Sequence, residues 1–562
     1  MPFACEFVFL QFRKSNLMKI NTQKSKPMII NKRIFSLATL ALSLMLARAQ
    51  NPFLPLWEHI PDGEPHIFED PDKPGKYRLY VYGSHDELVN AYCGLDQVVW
   101  SAPTDDLTRW RLDGVIFESK TDAKGKQLRA DGGGDLLYAP DVCEVRDPKT
   151  GRKTYYLYPN NQHRNSMVAK ADRPDGPFRP CNWDSGNPQQ TVGPIGFDPA
   201  VLVDDDGRVY AYWGFRHSYA AELDPATMAT VKPGTEIVDG MVTSLHEPGP
   251  FRFFEASSIR KVEDKYVFIY SRWSENGEFG LRDTPGTLAY AYSDRPLGPW
   301  TYGGTIIDMR GYATDAQGRR IPATVPSGNT HGSLCQVGGQ WYIFYHRHSG
   351  QDEFARQAMV APVSVKVEKG AGGKVSISQG EVTSEGFQAG GLDPLKRYSA
   401  GITCYYTGPT ETTQDYPRWT FSGPYIQPAY AEYDGRSNPY DLHINHNAVL
   451  NNTSGSVVGY KYFNMSRLRG EKHVSLLLQL VPRGVDGEIE VLADSPWESQ
   501  GGLLLGSVQL TASMPQRPTD LHIPVPEATG LQGRHALFLR FKSTKQDASL
   551  CDLHFLQFCQ AD

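Results

Sequence analysis

The chain has 562 residues and a formal net charge of −6, so no basic field marks it as a nucleic-acid binder. Charged residues make up 21% and are interspersed, which excludes a disordered or polyelectrolyte chain. Aromatics at 11%, with 53 glycines and 40 prolines, favour a turn-rich all-β protein over a helical bundle.

In chain order, the first element is a leader. Lys32 and Arg33 precede an apolar run from Ile34 to Leu46, and Ala47-Arg48-Ala49 places small residues where a signal peptidase reads. Residues 1–49 are therefore expected to be a leader and signal peptide, cut before Gln50, with the protein exported to the periplasm or outside the cell. The run is too short to span a bilayer of about 30 Å, so no membrane-spanning segment is expected in the mature chain. The eight cysteines show no CxxC pair or zinc-ligand spacing, and most are expected to be buried small hydrophobes.

From residue 50 to 365 a unit recurs five times: a polar or acidic residue opens an apolar strand, a turn follows, and an aromatic-rich strand comes next. The openings are Asp62, Asp141, Asp198, Glu255 and His331. The aromatic strands are Tyr77–Tyr82, Tyr155–Tyr158, Val209–Trp213, Tyr266–Tyr270 and Trp341–Tyr345. "AKADRPDGPF" (Ala169–Phe178) and "AYSDRPLGPW" (Ala291–Trp300) are near copies at equivalent places in two units. Five units of about 55–80 residues predict a five-bladed β-propeller of four-stranded blades, whose inner strands bring the five opening residues to one mouth of the channel. Residues 366–397 read as a connecting segment. Residues 398–562 read as a β-sandwich, with strands at Val457–Phe463, Val474–Leu480, Gly487–Ala493, His535–Phe541 and Asp552–Phe558.

Five stretches of residues 50–365 resemble glycoside hydrolase family 43. They are "IPDGEPHIF" (Ile60–Phe68), "YAPDV" (Tyr138–Val142), "FDPAVLVDDDGRVYAYWG" (Phe197–Gly214), "FFEASSIRKVEDKYVFIYS" (Phe253–Ser271) and "THGSLCQVGGQWYIFYHR" (Thr330–Arg347). The resemblance implies a propeller exo-glycosidase acting with inversion, in which one carboxylic acid protonates the leaving oxygen and a second carboxylate activates water. By this resemblance Asp62 is the general base, with Glu64 as its rival, because Gly63 stands where the family usually has proline. Asp141 matches the residue that raises the pKa of the acid, and Glu255 matches the acid. His331 matches a histidine at the channel centre, and Arg356 an arginine near the sugar. Asp198 reads as a blade-opening acid, more often structural.

His85, in Ser84-His85-Asp86, is expected at the pocket rim within reach of substrate; three adjacent residues cannot form a triad. Trp213 is a candidate sugar platform, with Tyr92 and Trp100 beside it. The implied activity is release of terminal α-L-arabinofuranosyl residues from plant-type polysaccharides or oligosaccharides. β-D-xylosidase, galactose-type exo-glycosidase and non-catalytic glycan-binding propeller are the alternatives. No cofactor is required, and a structural calcium is possible; the turn Asp204-Asp205-Asp206-Gly207 reads first as a solvated hairpin. The C-terminal sandwich resembles carbohydrate-binding module family 6 through "GYKYFNM" (Gly459–Met465) and "CDLHFLQF" (Cys551–Phe558), with Tyr460, Tyr462 and Trp497 as candidate sugar contacts.

Overall fold

Strands such as Tyr77–Tyr82 are buried at nearly every position rather than at alternate ones. That pattern requires sheets covered on both faces, and the computed structural model supplies it. It describes residues 50–87, 91–326, 328–409, 413–415, 418–428, 446–471 and 473–560; the expected leader, 1–49, lies outside the described residues.

Four consecutive sheets are antiparallel meanders of four strands. The first is β1–β4 (Glu64–Glu69, Tyr77–Tyr82, Asp96–Pro103, Arg111–Glu118), and the second is β5–β8 (Asp141–Arg146, Lys153–Tyr158, Ala169–Ala171, Arg179–Pro180). The third is β9–β12 (Ala200–Val203, Val209–Trp213, Tyr219–Leu223, Val238–Asp239), and the fourth is β13–β16 (Phe253–Val262, Lys265–Arg272, Thr287–Ser293, Thr301–Asp308). A short hairpin, β17–β18 (Ala313–Thr314, Arg320–Ile321), leads to the fifth sheet, β19–β21 (Leu334–Val337, Gln340–Ser349, Ala355–Val363). The first strands adjoin one another in turn: β1 lies against β5, β5 against β9, β9 against β13, and β19 against β1. Arg260 on β13 completes the ring through its Nε, which donates to Leu334 O on β19 at 2.9 Å.

A separate apolar cluster fills each gap between neighbouring sheets. The near-copy segments serve the same contact twice. Tyr82 and Tyr212, each near the end of the second strand of its blade, donate their hydroxyls to Pro174 O and Pro296 O in the following blade, both at 2.7 Å.

The fifth sheet differs from the expectation of four strands: it has three among the described residues. The segment before β1 lies along its outer edge. The Asn51 side chain donates to Val360 O at 2.7 Å and accepts from Val360 N–H at 3.0 Å, and Phe53 N–H reaches Ala358 O. The ring thus closes on a side-chain amide that stands in for a backbone ladder.

Residues 366–397 are packed rather than slack. The hairpin β22–β23 (Val365–Val367, Val375–Ile377) puts Val375 into the core between the fourth and fifth blades, and Phe387 stacks on Trp110 beside Phe53 and Tyr342.

The remainder is a two-sheet sandwich. Its strands are β24 (Tyr398–Ser399), β25 (Tyr405–Thr407), a hairpin β26–β27 (Thr413–Asp415, Arg418–Thr420), β28 (Tyr425–Gln427), β29 (Ala448–Asn452) and β30 (Val457–Asn464). They continue as β31 (Val474–Pro482), β32 (Gly487–Ala493), β33 (Leu503–Leu510), β34 (Thr519–Pro524), β35 (Arg534–Lys542) and β36 (Cys551–Gln560). One sheet runs β28-β29-β36-β31-β34 with β24 on β36, and the other runs β25-β30-β35-β32-β33. The core between them includes Leu56 and Leu392, which the chain contributes from outside the sandwich. No disulfide joins the described cysteines, five of which are buried. No helix among the described residues is long and apolar enough to cross a membrane.

Candidate active site

Two of the expected carboxylates sit where the backbone turns left-handed just before an inner strand: Asp62 has φ 60° and Asp198 φ 51°. Aspartate tolerates this region better than most residues because its short side chain can bond locally. Glu255 is aimed differently. Register shifts flank it in the β13–β14 ladder, and Ala256 after it has φ 66°. A bulge of this kind re-aims a side chain out of the regular alternation.

Asp62 is 3% exposed, its carboxylate takes two donors, and its own N–H donates to His346 Nδ1 at 3.2 Å. Ser84 Oγ donates to its Oδ2, Arg356 Nη1 to its Oδ1 at 3.0 Å, and His346 Nδ1 lies 3.4 Å from that oxygen. Burial raises the pKa of Asp62, but Arg356, His346, His331 and the Ser84 bond outweigh it and bring it to about 2. Asp62 is therefore an anion across the working pH range. Arg356, itself 2% exposed, is held by Asp86 through Nε at 2.9 Å and Nη2 at 2.8 Å, and its guanidinium lies 4.9 Å from the centre of the Tyr92 ring.

Glu255 has the opposite environment. Burial pushes its pKa up, Asn329 Nδ2 donates to it and pulls down, Asp62 raises it, and Arg356 and Arg216 lower it; the balance is about 7. Asp198 is in turn acted on by the charge of Glu255. Its Oδ2 accepts Ala256 N–H at 2.9 Å, its Oδ1 accepts from Asn160 Nδ2 at 2.9 Å, and His331 Nδ1 stands 3.8 Å away. Burial, then Glu255, then Asp62 push the pKa of Asp198 far above the ordinary carboxylate range.

Asp141 is fully buried in a different role. Its oxygens take His66 Nε2 at 2.8 Å, Val142 N–H at 2.7 Å and Val201 N–H of the next blade at 2.7 Å. Glu64, the rival base, is fully buried and ion-paired to Arg260 at 2.6 Å. Its Oε1 has no partner among the described residues, nor has His331 Nε2, although both are buried. Burial lowers the pKa of His331. Glu64, His66 and Asp141 bring ligand atoms within 4.8 Å of one another. This oxygen-and-imidazole set, which includes the unpartnered Glu64 Oε1, fits a water or a small hard cation.

Two expected substrate contacts lie elsewhere. His85 is clamped between Asp96 (Nδ1, 2.6 Å) and Glu58 (Nε2, 3.3 Å), so both ring nitrogens are used. Trp213 is 5% exposed and stacks on Tyr219 inside the core between the second and third blades. Trp100 is likewise in core and donates to Glu58. The acidic turn is a hairpin neutralised locally: Asp204 bonds Lys261 and Tyr266, and Asp206 bonds Arg208.

On the sandwich, Tyr460 is buried, Trp497 donates to Thr314 O of the propeller, and Tyr462 bonds Glu381; packing uses all three. Sequence reasoning missed Ser84, Asp86 and Asn329. The first two had a readable signal in the alternation of Ser84-His85-Asp86, which sends the outer pair to one side. Asn329 offered none.

Comparison with known proteins gives a consistent result. The family model for glycosyl hydrolases family 43 matches residues 68–368. A "Xylosidase/arabinosidase" of Thermoclostridium stercorarium is 32% identical over 519 residues, covering 88% of this chain and 96% of that protein. An "Arabinoxylan arabinofuranohydrolase" of Paenibacillus polymyxa is 28% identical over 371 residues, covering 63% of this chain and 54% of its own length. Among solved structures, a family 43 arabinoxylan arabinofuranohydrolase from Bacillus subtilis aligns over 92% of this chain and 99% of its own, at 20% identity and a TM-score of 0.42. The match to the family model over more than half of the sequence, and the relative spanning nearly all of it, establish that this chain belongs to glycosyl hydrolases family 43.

Proposed function

We propose that this glycoside hydrolase releases terminal α-L-arabinofuranosyl residues from plant-type polysaccharides, with inversion, using Asp62 as general base and Glu255 as general acid. The observation that carries the reading is the separation of two buried carboxyls: one is held near pKa 2 by an arginine, and the other is raised to about 7. Groups whose surroundings drive their pKa values apart divide the acid and base roles between them. At neutral pH Asp62 is ready to take a proton from water while Glu255 can still give one to the leaving oxygen.

The tuning role that the resemblance gives to Asp141 is better filled by Asp198. Asp198 and Glu255 repel each other as like charges, which keeps a proton on the pair. Asp141 instead ties the first, second and third blades together. Arg356, oriented by Asp86, secures the base.

The Thermoclostridium relative's name joins two activities, so β-D-xylosidase stands as the second reading. The Paenibacillus relative's name favours the arabinose reading. Neither role asked of the two carboxyls needs a metal; a structural calcium would belong to the Glu64, His66, Asp141 and His331 set. The sandwich, by its likeness to a carbohydrate-binding module, is proposed to hold polysaccharide through a surface other than Tyr460, Tyr462 and Trp497. The Lys32–Ala49 pattern supports export before Gln50, which N-terminal sequencing of the mature protein would test.

The deciding experiment compares aryl arabinofuranoside, aryl xyloside and arabinoxylan, and follows the first-formed anomer by proton NMR. Inverted arabinose from arabinoxylan is expected, and Asp62→Asn is expected to remove turnover on every substrate. Retention of configuration, or turnover by Asp62→Asn, would overturn the proposal.

A further inference from the structure

Beside Glu255 runs a row of aromatic rings that neither the ring of blades nor the carboxylates explain. Tyr138 meets Phe197 at 5.6 Å, Phe197 meets Phe215 at 5.7 Å, Phe215 meets Phe254 at 5.3 Å, and Phe254 meets Trp273 at 5.1 Å between ring centres. Phe197 immediately precedes Asp198, and Phe254 immediately precedes Glu255. Phe215 in the middle is 48% exposed. The Arg216 guanidinium lies 5.1 Å from its ring centre and 5.9 Å from that of Phe254, and the charge of Arg216 reaches Glu255.

The row ends beside an open cavity of about 600 Å³ lined by Arg252, Glu275, Asn276, Arg282 and Asp283. Trp273 forms the junction: its Nε1 donates to Asp283 Oδ2 at 2.8 Å, and its carbonyl accepts Arg252 Nε at 2.7 Å.

We infer that this row and cavity form a track for the sugar residues on the leaving-group side of the cleaved bond, so that the substrate is a carrier chain several sugars long. The inference rests on the glycosidase reading for its orientation. A general acid gives its proton to the glycosidic oxygen, so the sugar that departs must begin next to that acid. On the base side, Asp62 is bonded by Arg356 and Ser84, and Asp86 and Tyr92 pack against that arginine. On the acid side, exposed Phe215 packs on Phe254, next to Glu255, and Trp273 carries the row on to a polar basin. Aromatic faces receive the C–H face of a sugar, and carboxylate, amide and guanidinium groups bond its hydroxyls, the usual division of labour in a ligand site.

The test separates binding from cleavage. Unbranched xylo-oligosaccharides of increasing length are titrated by calorimetry into the full chain and into Phe215→Ala, a substitution at an exposed ring that should leave the unfolding midpoint unchanged. Affinity is expected to rise with length in the natural protein and to fall about tenfold in Phe215→Ala, the scale of one aromatic contact. Inhibition by free arabinose should remain unaltered in both. On branched arabinoxylan oligosaccharides the same variant should raise KM about tenfold at constant kcat. Equal affinities in the two proteins would overturn the track. A failure of hydrolysis in both, with the affinity difference intact, would instead count against the proposed reaction and leave the track standing.

Discussion

Ser84, His85 and Asp86 are sequence neighbours with three destinations: Ser84 bonds the base, Asp86 orients Arg356, and His85 turns back between Glu58 and Asp96. Burial lowers the pKa of His85, but bonds to the two carboxylates outweigh it and lift the value from 6.5 to about 11. A group raised on folding stabilises fully below its ordinary value and loses that contribution as pH climbs through the folded one. His85→Gln should therefore lower the unfolding midpoint by about 2 °C or more near pH 6 and by distinctly less near pH 10, as scanning calorimetry would show.

The same scale separates Asp198 from Asp141. Glu255 works protonated, so activity should fall as pH rises through about 7. Asp198→Asn removes the partner that shares a proton with Glu255 and should displace that alkaline limb; Asp141→Asn should leave the limb in place and reduce thermal stability. A shift for Asp141 alone would return the tuning role to it. Glu255→Gln should slow hydrolysis of a natural oligosaccharide by about 10²–10⁴-fold and of a dinitrophenyl glycoside far less, since only the former needs a proton on departure. Matched initial rates on the two substrates measure this.

At the level of the element, inner strands differ in how they present their opening residue. β1 and β9 follow a left-handed aspartate, whereas β13 carries a bulge. Gly83, at the end of β2, lies so close to the turn bearing the base that a Cβ there would strike Pro61 O and the Ile60 side chain. Gly83→Ala should push Asp62 out of line and cost about 10²-fold in kcat, with a readout in kcat that exceeds any change in KM.

This scale also explains what could be read beforehand. The aromatic second strands and the acidic openings are local, repetitive signals, so the propeller, its order and the place of Asp62 and Glu255 at blade openings were legible. The distinction between Asp141 and Asp198 was not, because both open a blade behind similar residues and only the inter-blade contacts separate them. Trp213 looked like a sugar platform because a tryptophan at a strand end has the same sequence appearance whether Tyr219 or solvent covers it. The three-stranded fifth blade was hidden because its missing edge is supplied by Asn51 from the other end of the domain.

Across the whole molecule, the two halves share their cores. Leu56 and Leu392 sit inside the sandwich, Cys404 of the sandwich region packs with the fourth and fifth blades, and Trp419 N–H reaches Gln351 O at 2.9 Å. Domains joined only by a linker unfold separately, whereas domains that exchange core residues cannot. Calorimetry should show one transition for both, and a chain ending at residue 397 should lose far more stability than removal of an independent module would cause. Two resolved transitions would contradict this.

The clasp between Asn51 and Val360 carries a further consequence, for the order of events at the ribosome. Its partners are 309 positions apart, and the neighbouring Leu56 waits for strands made later still. Four blades can form as they emerge, each from local hairpins, but residues 51–53 have nowhere to settle until the fifth blade has been made. Long-range closure of this kind is slow, so the emerging protein is an open arc with one unsealed edge until its fifth blade appears, and Leu56 stays uncovered until the sandwich behind it is complete.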